Sequence, residues 1–251
     1  MPTFTRGEIA IEYQIHGEGP PLLLFAPGGM RSATANWVRA PYLPIDAYSS
    51  QFRVIAMDQR NAGASRGPVS ADDGWDTYTD DHLALLDELG IERCHVLGMC
   101  IGCTFALGLI ARAPERVSAA VLQQPIGVSD TNRPVFYELF DGWANDLLPT
   151  RPDISAAALP AFRERMFGGD ELTYGVSRDV VAACPVPLLV LRGNDVYHPA
   201  AISEEIVRIA PRAELVREWK TGDDVPKAIA RVRAFLSEHC RGVSRHDHVA
   251  E

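Results

Sequence analysis

Residues 8–16 alternate apolar and polar side chains, with Ile9, Ile11, Tyr13 and Ile15 on one face. A period of two predicts an antiparallel strand with one buried side. The chain turns at Gly17-Glu18-Gly19-Pro20 and then changes character. Residues 22–26, 52–57, 94–97, 117–123 and 186–191 are short continuous apolar runs, the pattern of strands buried on both faces. Residues 77–89 carry Leu83, Leu86 and Leu89 at helical spacing, with Gly90 placed as a cap. Residues 101–111, 203–210 and 226–239 read as further helices, and Pro226 suits a first helical turn because its missing N–H is not needed there. Residues 214–218 give a last strand.

Strands alternating with helices predict an α/β fold with a mostly parallel central sheet flanked by helices. The alternation breaks at residues 126–184, which are helical in flavour and too long for a plain loop. Three regions follow: a core of residues 1–125 and 185–240, a small helical cap at 126–184 over the carboxyl ends of the strands, and a polar tail at 241–251. Ligands of open α/β sheets bind at those strand ends.

Composition narrows the function. Of 251 residues, 24 are Lys or Arg and 33 Asp or Glu, a net charge of −9. That balance argues against nucleic-acid or anionic-membrane binding. The apolar stretch at 99–111 is shorter than the roughly 18–20 residues of a membrane span, and residues 1–10 lack a signal-type apolar region. The five cysteines are scattered and odd in number, which fits a reducing cytoplasm rather than a disulfide framework. The Cys/His spacing matches no zinc pattern, so no metal is expected. No Gly-rich phosphate loop is present, so no cofactor is expected. A small-molecule substrate is the expected partner, and a homodimer is left open.

The sharpest motif is Gly98-Met99-Cys100-Ile101-Gly102, set between a buried strand and a helix. It is a nucleophile-elbow pattern with Cys in the nucleophile position. The turn is so tight that side chains two residues either side would strike neighbouring backbone, and it sets the sulfur at a helix N-terminus, which favours a thiolate. Cys103 forms a C-x-x-C with Cys100. That spacing also occurs in redox proteins, but the flanking glycines favour the elbow, and a regulatory disulfide stays open.

The chain resembles the α/β-hydrolase superfamily over nearly its full length. The resemblance rests on Gly17-Glu18-Gly19-Pro20-Pro21-Leu22-Leu23-Leu24, on residues 52–60 with Gly63 and Ser65, and on the elbow. With Cys as its central residue, the elbow is similar to that of dienelactone hydrolases. The resemblance implies an oxyanion hole from the amides of Ile101 and Gly29, with Met30 in reserve. It implies Asp195 as the acid, because Gly193-Asn194-Asp195 with Pro199 is similar to the family's G-x-D-x-x-x-P stretch.

The family places its base in the loop after the last strand, but here residues 220–225 contain no histidine. His198, three residues after Asp195, is the candidate among seven histidines. A thiolate held by the helix dipole alone is the alternative. The expected function is a Cys-dependent hydrolase or acyl-transfer enzyme for small esters, lactones or thioesters, working through a thioester acyl-enzyme. Tyr137, Phe140 and Trp143 of the cap are candidates for an apolar substrate group, and Arg133, Arg163 and Arg165 for a carboxylate. Other readings stay open: a non-hydrolytic small-ligand binder, a redox-responsive protein, or a lyase or C–C hydrolase on the same fold.

Overall fold

A computed structural model describes residues 1–240; the expected tail at 241–251 lies outside the described residues. The apolar runs form the middle of the sheet: β3 (Pro21–Phe25), β4 (Arg53–Met57), β5 (Cys94–Met99), β6 (Val117–Gln123) and β7 (Leu188–Leu191) are buried almost throughout. The alternating segment forms β2 (Ile9–His16), and β8 (Ala213–Val216) is the last strand. One strand has no counterpart in the sequence reading. In β1 (Thr3–Arg6) only Phe4 is buried, so its apolar pattern is too thin to detect.

The eight strands run in the order β1-β2-β4-β3-β5-β6-β7-β8. β1 and β2 are antiparallel additions at one edge, and every pairing from β4 onward is parallel. The helices are α1 (Pro44–Tyr48), α2 (Trp75–Glu88), α3 (Ile101–Arg112), α4 (Arg133–Leu147), α5 (Leu159–Phe167), α6 (Arg178–Ala182), α7 (Ala200–Ile209) and α8 (Asp224–Glu238). Alternate residues of the buried strands serve opposite layers. Leu23 and Phe25 share a core with Leu85, Leu86, Phe105 and Ile206 of α2, α3 and α7. Leu22 and Leu24 share the other with Tyr48 of α1 and with Val232, Phe235 and Leu236 of α8.

Two polar contacts are built into the first layer. Arg60 grips Asp81 with two bonds of 2.8 and 2.6 Å. His82 Nε2 lies 2.7 Å from Gln59 Oε1, and burial pushes that imidazole down to about 3, so it stays neutral.

The chain between β6 and β7 carries α4, α5 and α6. Phe136, Phe140, Trp143, Phe162 and Phe167 form its aromatic core, with ring centroids 5.2–6.5 Å apart. This block is bonded to the loops at the carboxyl ends of β3 and β4. Arg31 pairs with Asp146, Trp143 Nε1 donates to Asn61 O at 3.0 Å, and Arg151 donates to Asn61 Oδ1 and Gly67 O at 2.9 and 3.0 Å. Among the described residues no helix is long and apolar enough to cross a membrane.

Candidate active site

One residue, Cys100, separates the end of β5 from the start of α3. Its backbone is left-handed, φ 61° and ψ −121°, a region costly for any residue with a Cβ. The surrounding contacts enforce it. The Cys100 amide donates to Gln123 O of β6 at 3.0 Å. A Cβ on Gly98 would lie 2.1 Å from Gly102 O, and one on Gly102 would lie 2.1 Å from Phe25 O. Both glycines of the motif are therefore steric requirements, and together they leave the half-buried Cys100 at the N-cap of α3.

The loop after β7 supplies the groups that face it. Asp195 Oδ1 accepts the amides of Tyr197 and His198, both at 3.0 Å, and His198 Nδ1 lies 2.8 Å from Oδ1 and 2.9 Å from Oδ2. The backbones bond as well: the amide of each residue donates to the carbonyl of the other, at 3.3 and 3.2 Å. An ionised carboxylate only accepts, so Nδ1 carries the proton. His198 is 7% exposed, and its Nε2 is buried with no hydrogen-bond partner among the described residues.

The electrostatics pair the two groups. Burial opposes a Cys100 thiolate, but His198 and the amides of Ile101 and Gly28 outweigh it and hold the thiol below its ordinary value. Burial opposes a charged His198, but Cys100 and Asp195 outweigh it and hold the imidazole above its ordinary value. Asp195 sits below the usual carboxylate range: burial is outweighed by His198, with a smaller contribution from Lys220. The arrangement suits a thiolate–imidazolium pair braced by a carboxylate.

The amides that favour the Cys100 thiolate are those of Ile101 and Gly28; Gly29 and Met30, the other expected oxyanion donors, follow directly in the same turn. The chain leaves β3 through positive φ at both glycines, 126° at Gly28 and 59° at Gly29. It then coils into a short 3₁₀ turn, Gly29–Arg31, which buries the Met30 side chain in the core. No spacing rule in the sequence locates the amide within such a turn.

The aromatic candidates between β6 and β7 all have packing partners. Phe140 and Trp143 are buried in the aromatic core. The Tyr137 hydroxyl donates to Glu164 at 2.8 Å, with Arg163 4.6 Å above its ring. Helical spacing cannot separate such packing from substrate contact. The aromatic that leads toward the site is Phe136, edge-on to Tyr197 at 6.4 Å, which lies 6.1 Å from the His198 ring. Arg133, Arg163 and Arg165 pair with Asp170, Asp141 and Asp72. Cys103 is buried and donates to Gly98 O and Gln123 O at 3.2 and 3.3 Å; burial raises its thiol well above the ordinary value. No cluster of three or more metal-ligating side chains occurs among the described residues.

Comparison with known proteins bears on the fold. A family model described as alpha/beta hydrolase fold matches residues 21–192. The chain is similar to a putative carbamate hydrolase RutD of Agrobacterium fabrum, 28% identical over 116 residues, covering 45% of this chain and 42% of that protein. It is similar to a 2-hydroxymuconate semialdehyde hydrolase of Pseudomonas sp., 36% identical over 115 residues, covering 46% of this chain and 36% of that protein. The matched segments thus span less than half the length of these relatives. Among solved structures, a meta-cleavage product hydrolase from Pseudomonas fluorescens IP01 superposes with TM-score 0.71 at 22% identity, covering 95% of this chain and 98% of that one. An enol-lactonase from Burkholderia xenovorans LB400 superposes with TM-score 0.68 at 22% identity, covering 94% and 100%. At such identities the likeness is one of fold.

Proposed function

The chain belongs to the alpha/beta hydrolase fold family, and on that premise we propose that it hydrolyses small esters, lactones or thioesters with Cys100 as nucleophile. One observation carries this reading: a thiol on a strained elbow at a helix N-terminus faces an imidazole that a carboxylate orients. The thiolate attacks the carbonyl carbon, and the amides of Ile101 and Gly28 receive the developing oxyanion. The intermediate collapses to a thioester as His198 Nε2–H protonates the leaving oxygen or sulfur. His198 then takes a proton from water, and the resulting hydroxide attacks the thioester. Collapse breaks the C–S bond, the acid product leaves, and the freed Cys100 thiolate re-forms the pair with His198, which has kept the proton from water. Asp195 keeps the imidazole in the required tautomer. Residues 126–184 act as a cap, with Phe136 reaching His198 through Tyr197.

A second reading, hydrolysis of a carbamate or a meta-cleavage product, is favoured by the names of the relatives and neighbours. The test covers both. The full chain, Cys100→Ala and His198→Ala are incubated with activated esters, lactones, thioesters, a carbamate and a meta-cleavage product, with turnover and intact mass recorded. Turnover with a wild-type acyl adduct on Cys100, both lost in Cys100→Ala and strongly reduced in His198→Ala, supports the proposal. Turnover that survives Cys100→Ala refutes it.

A further inference from the structure

The exit loops of β7 and β8 meet at a single carboxylate. Trp219, three residues beyond β8, is 1% exposed, and its Nε1 donates to Arg192 O at 2.9 Å. That bond fastens the second loop to the end of β7. The next residue, Lys220, is thereby held at the site. Its Nζ donates to Asn194 Oδ1 at 2.7 Å, lies 5.6 Å from the centroid of the Trp219 ring, and stands 4.0 Å from Asp195 Oδ2. The Lys220 side chain is 22% exposed. His198 Nδ1 lies 2.8 Å from Oδ1 and 2.9 Å from Oδ2 of the same side chain, so one carboxylate lies between two cationic groups.

We propose that Lys220 is a positioning residue that acts through Asp195 to limit how strongly His198 holds its proton, and so sets the alkaline edge of the charged Cys100–His198 pair. The functional meaning rests on the reading given above. An ammonium beside a carboxylate favours its ionised form and opposes a second positive charge on the far side. The neighbouring charges do not duplicate this effect. Arg192 and Arg217 both pair with Glu204, at 3.0 and 3.1 Å, and Asp224 pairs with Lys227 at 3.1 Å. Cys100 acts on Asp195 only by way of His198. Burial pulls the Lys220 ammonium down, partly offset by Asp195. Removing the Lys220 charge leaves Asp195 to His198 alone, which stabilises the imidazolium and moves its titration to higher pH.

The test is an NMR titration of His198 in histidine-labelled full chain, with the resonance assigned by its loss in His198→Gln. In Lys220→Met the midpoint should rise by about half to one pH unit, and in Lys220→Arg it should stay at the wild-type value. Lys220→Gln provides a second neutral variant should Lys220→Met fold poorly. An unchanged midpoint in the neutral variants overturns the proposal, and so does an equal rise in Lys220→Arg, which would make the effect one of shape rather than charge. Cys100→Ser separates this from the underlying reading. If His198 titrates in Cys100→Ser as in wild type, the thiolate–imidazolium pair fails, whatever the Lys220 variants do.

Discussion

Adding one methyl group at Gly98 tests how tight the elbow is. The new Cβ would sit 2.1 Å from Gly102 O, 2.3 Å from Gly102 C and 2.7 Å from the Cys103 amide nitrogen. All three atoms are backbone in the first turn of α3, so no rotamer change relieves the overlap. The start of the helix must shift, and Cys100 shifts with it. Overpacking costs about 1–3 kcal/mol where side chains can give way, so Gly98→Ala belongs at the top of that range, about 3 kcal/mol. For a chain of this length that lowers Tm by about 6–12 °C. Gly29→Ala is the control. Its φ is 59°, but a Cβ there meets nothing within 4 Å, so only the left-handed backbone term applies, about 1 kcal/mol or about 2–4 °C. The assays are thermal unfolding and the rate of Cys100 alkylation at neutral pH. Gly98→Ala should lose both stability and thiol reactivity, while Gly29→Ala keeps the reactivity. A Gly98→Ala protein that melts within about 2 °C of wild type and reacts as fast would refute the reasoning.

Three other outcomes are expected. Cys100 should be alkylated near neutral pH well before Cys94, whose thiol burial pushes up to about 12, and before the buried Cys103; peptide mass mapping reads the order, and equal labelling contradicts it. Asp195 is held low and His198 high. The contribution of Asp195 is therefore present above about pH 4 and fades as pH falls through its folded value, while that of His198 is present below about pH 6.5 and fades as pH rises through its folded value. The Tm gap between wild type and Asp195→Asn should accordingly be widest between about pH 4 and 6.5 and narrow toward alkaline pH; a gap independent of pH counts against the ion pair. Asp81→Ala strands Arg60, whose side chain is 9% exposed, and should cost about 3–5 kcal/mol, measured by urea unfolding.

The parts of the fold visible in the sequence are those that hydrophobic burial dictates. Leu22, Leu23 and Leu24 must all be apolar because β3 is covered on both faces. Gly98 and Gly102 were legible because a steric rule links them to Cys100. His198 is the candidate left by elimination, and its neighbour Asp195 is the acid that the resemblance of Gly193-Asn194-Asp195 and Pro199 to the family's stretch implies. What stayed hidden depends on contacts between distant segments. β1 owes its existence to pairing with β2 rather than to its own pattern. The short helical segments Thr34–Arg39 and Pro44–Tyr48 carry too few turns to show a period. Phe136 differs from Phe140 only in which neighbour it meets. Lys220 gains its meaning from Asp195, 25 residues earlier in the chain.

Asp195 and His198 are joined by a side-chain bond and by two reciprocal backbone contacts within four consecutive residues. Their relative placement is therefore a property of one turn, not of the distance between two loops. A small shift of β8 or α8 alters the charge that Lys220 brings but leaves the acid–base geometry intact. During synthesis the couple can be completed as soon as that turn leaves the ribosome, before the last strand exists. The carboxylate and the imidazole thus form one four-residue piece, whose internal contacts need no other part of the chain.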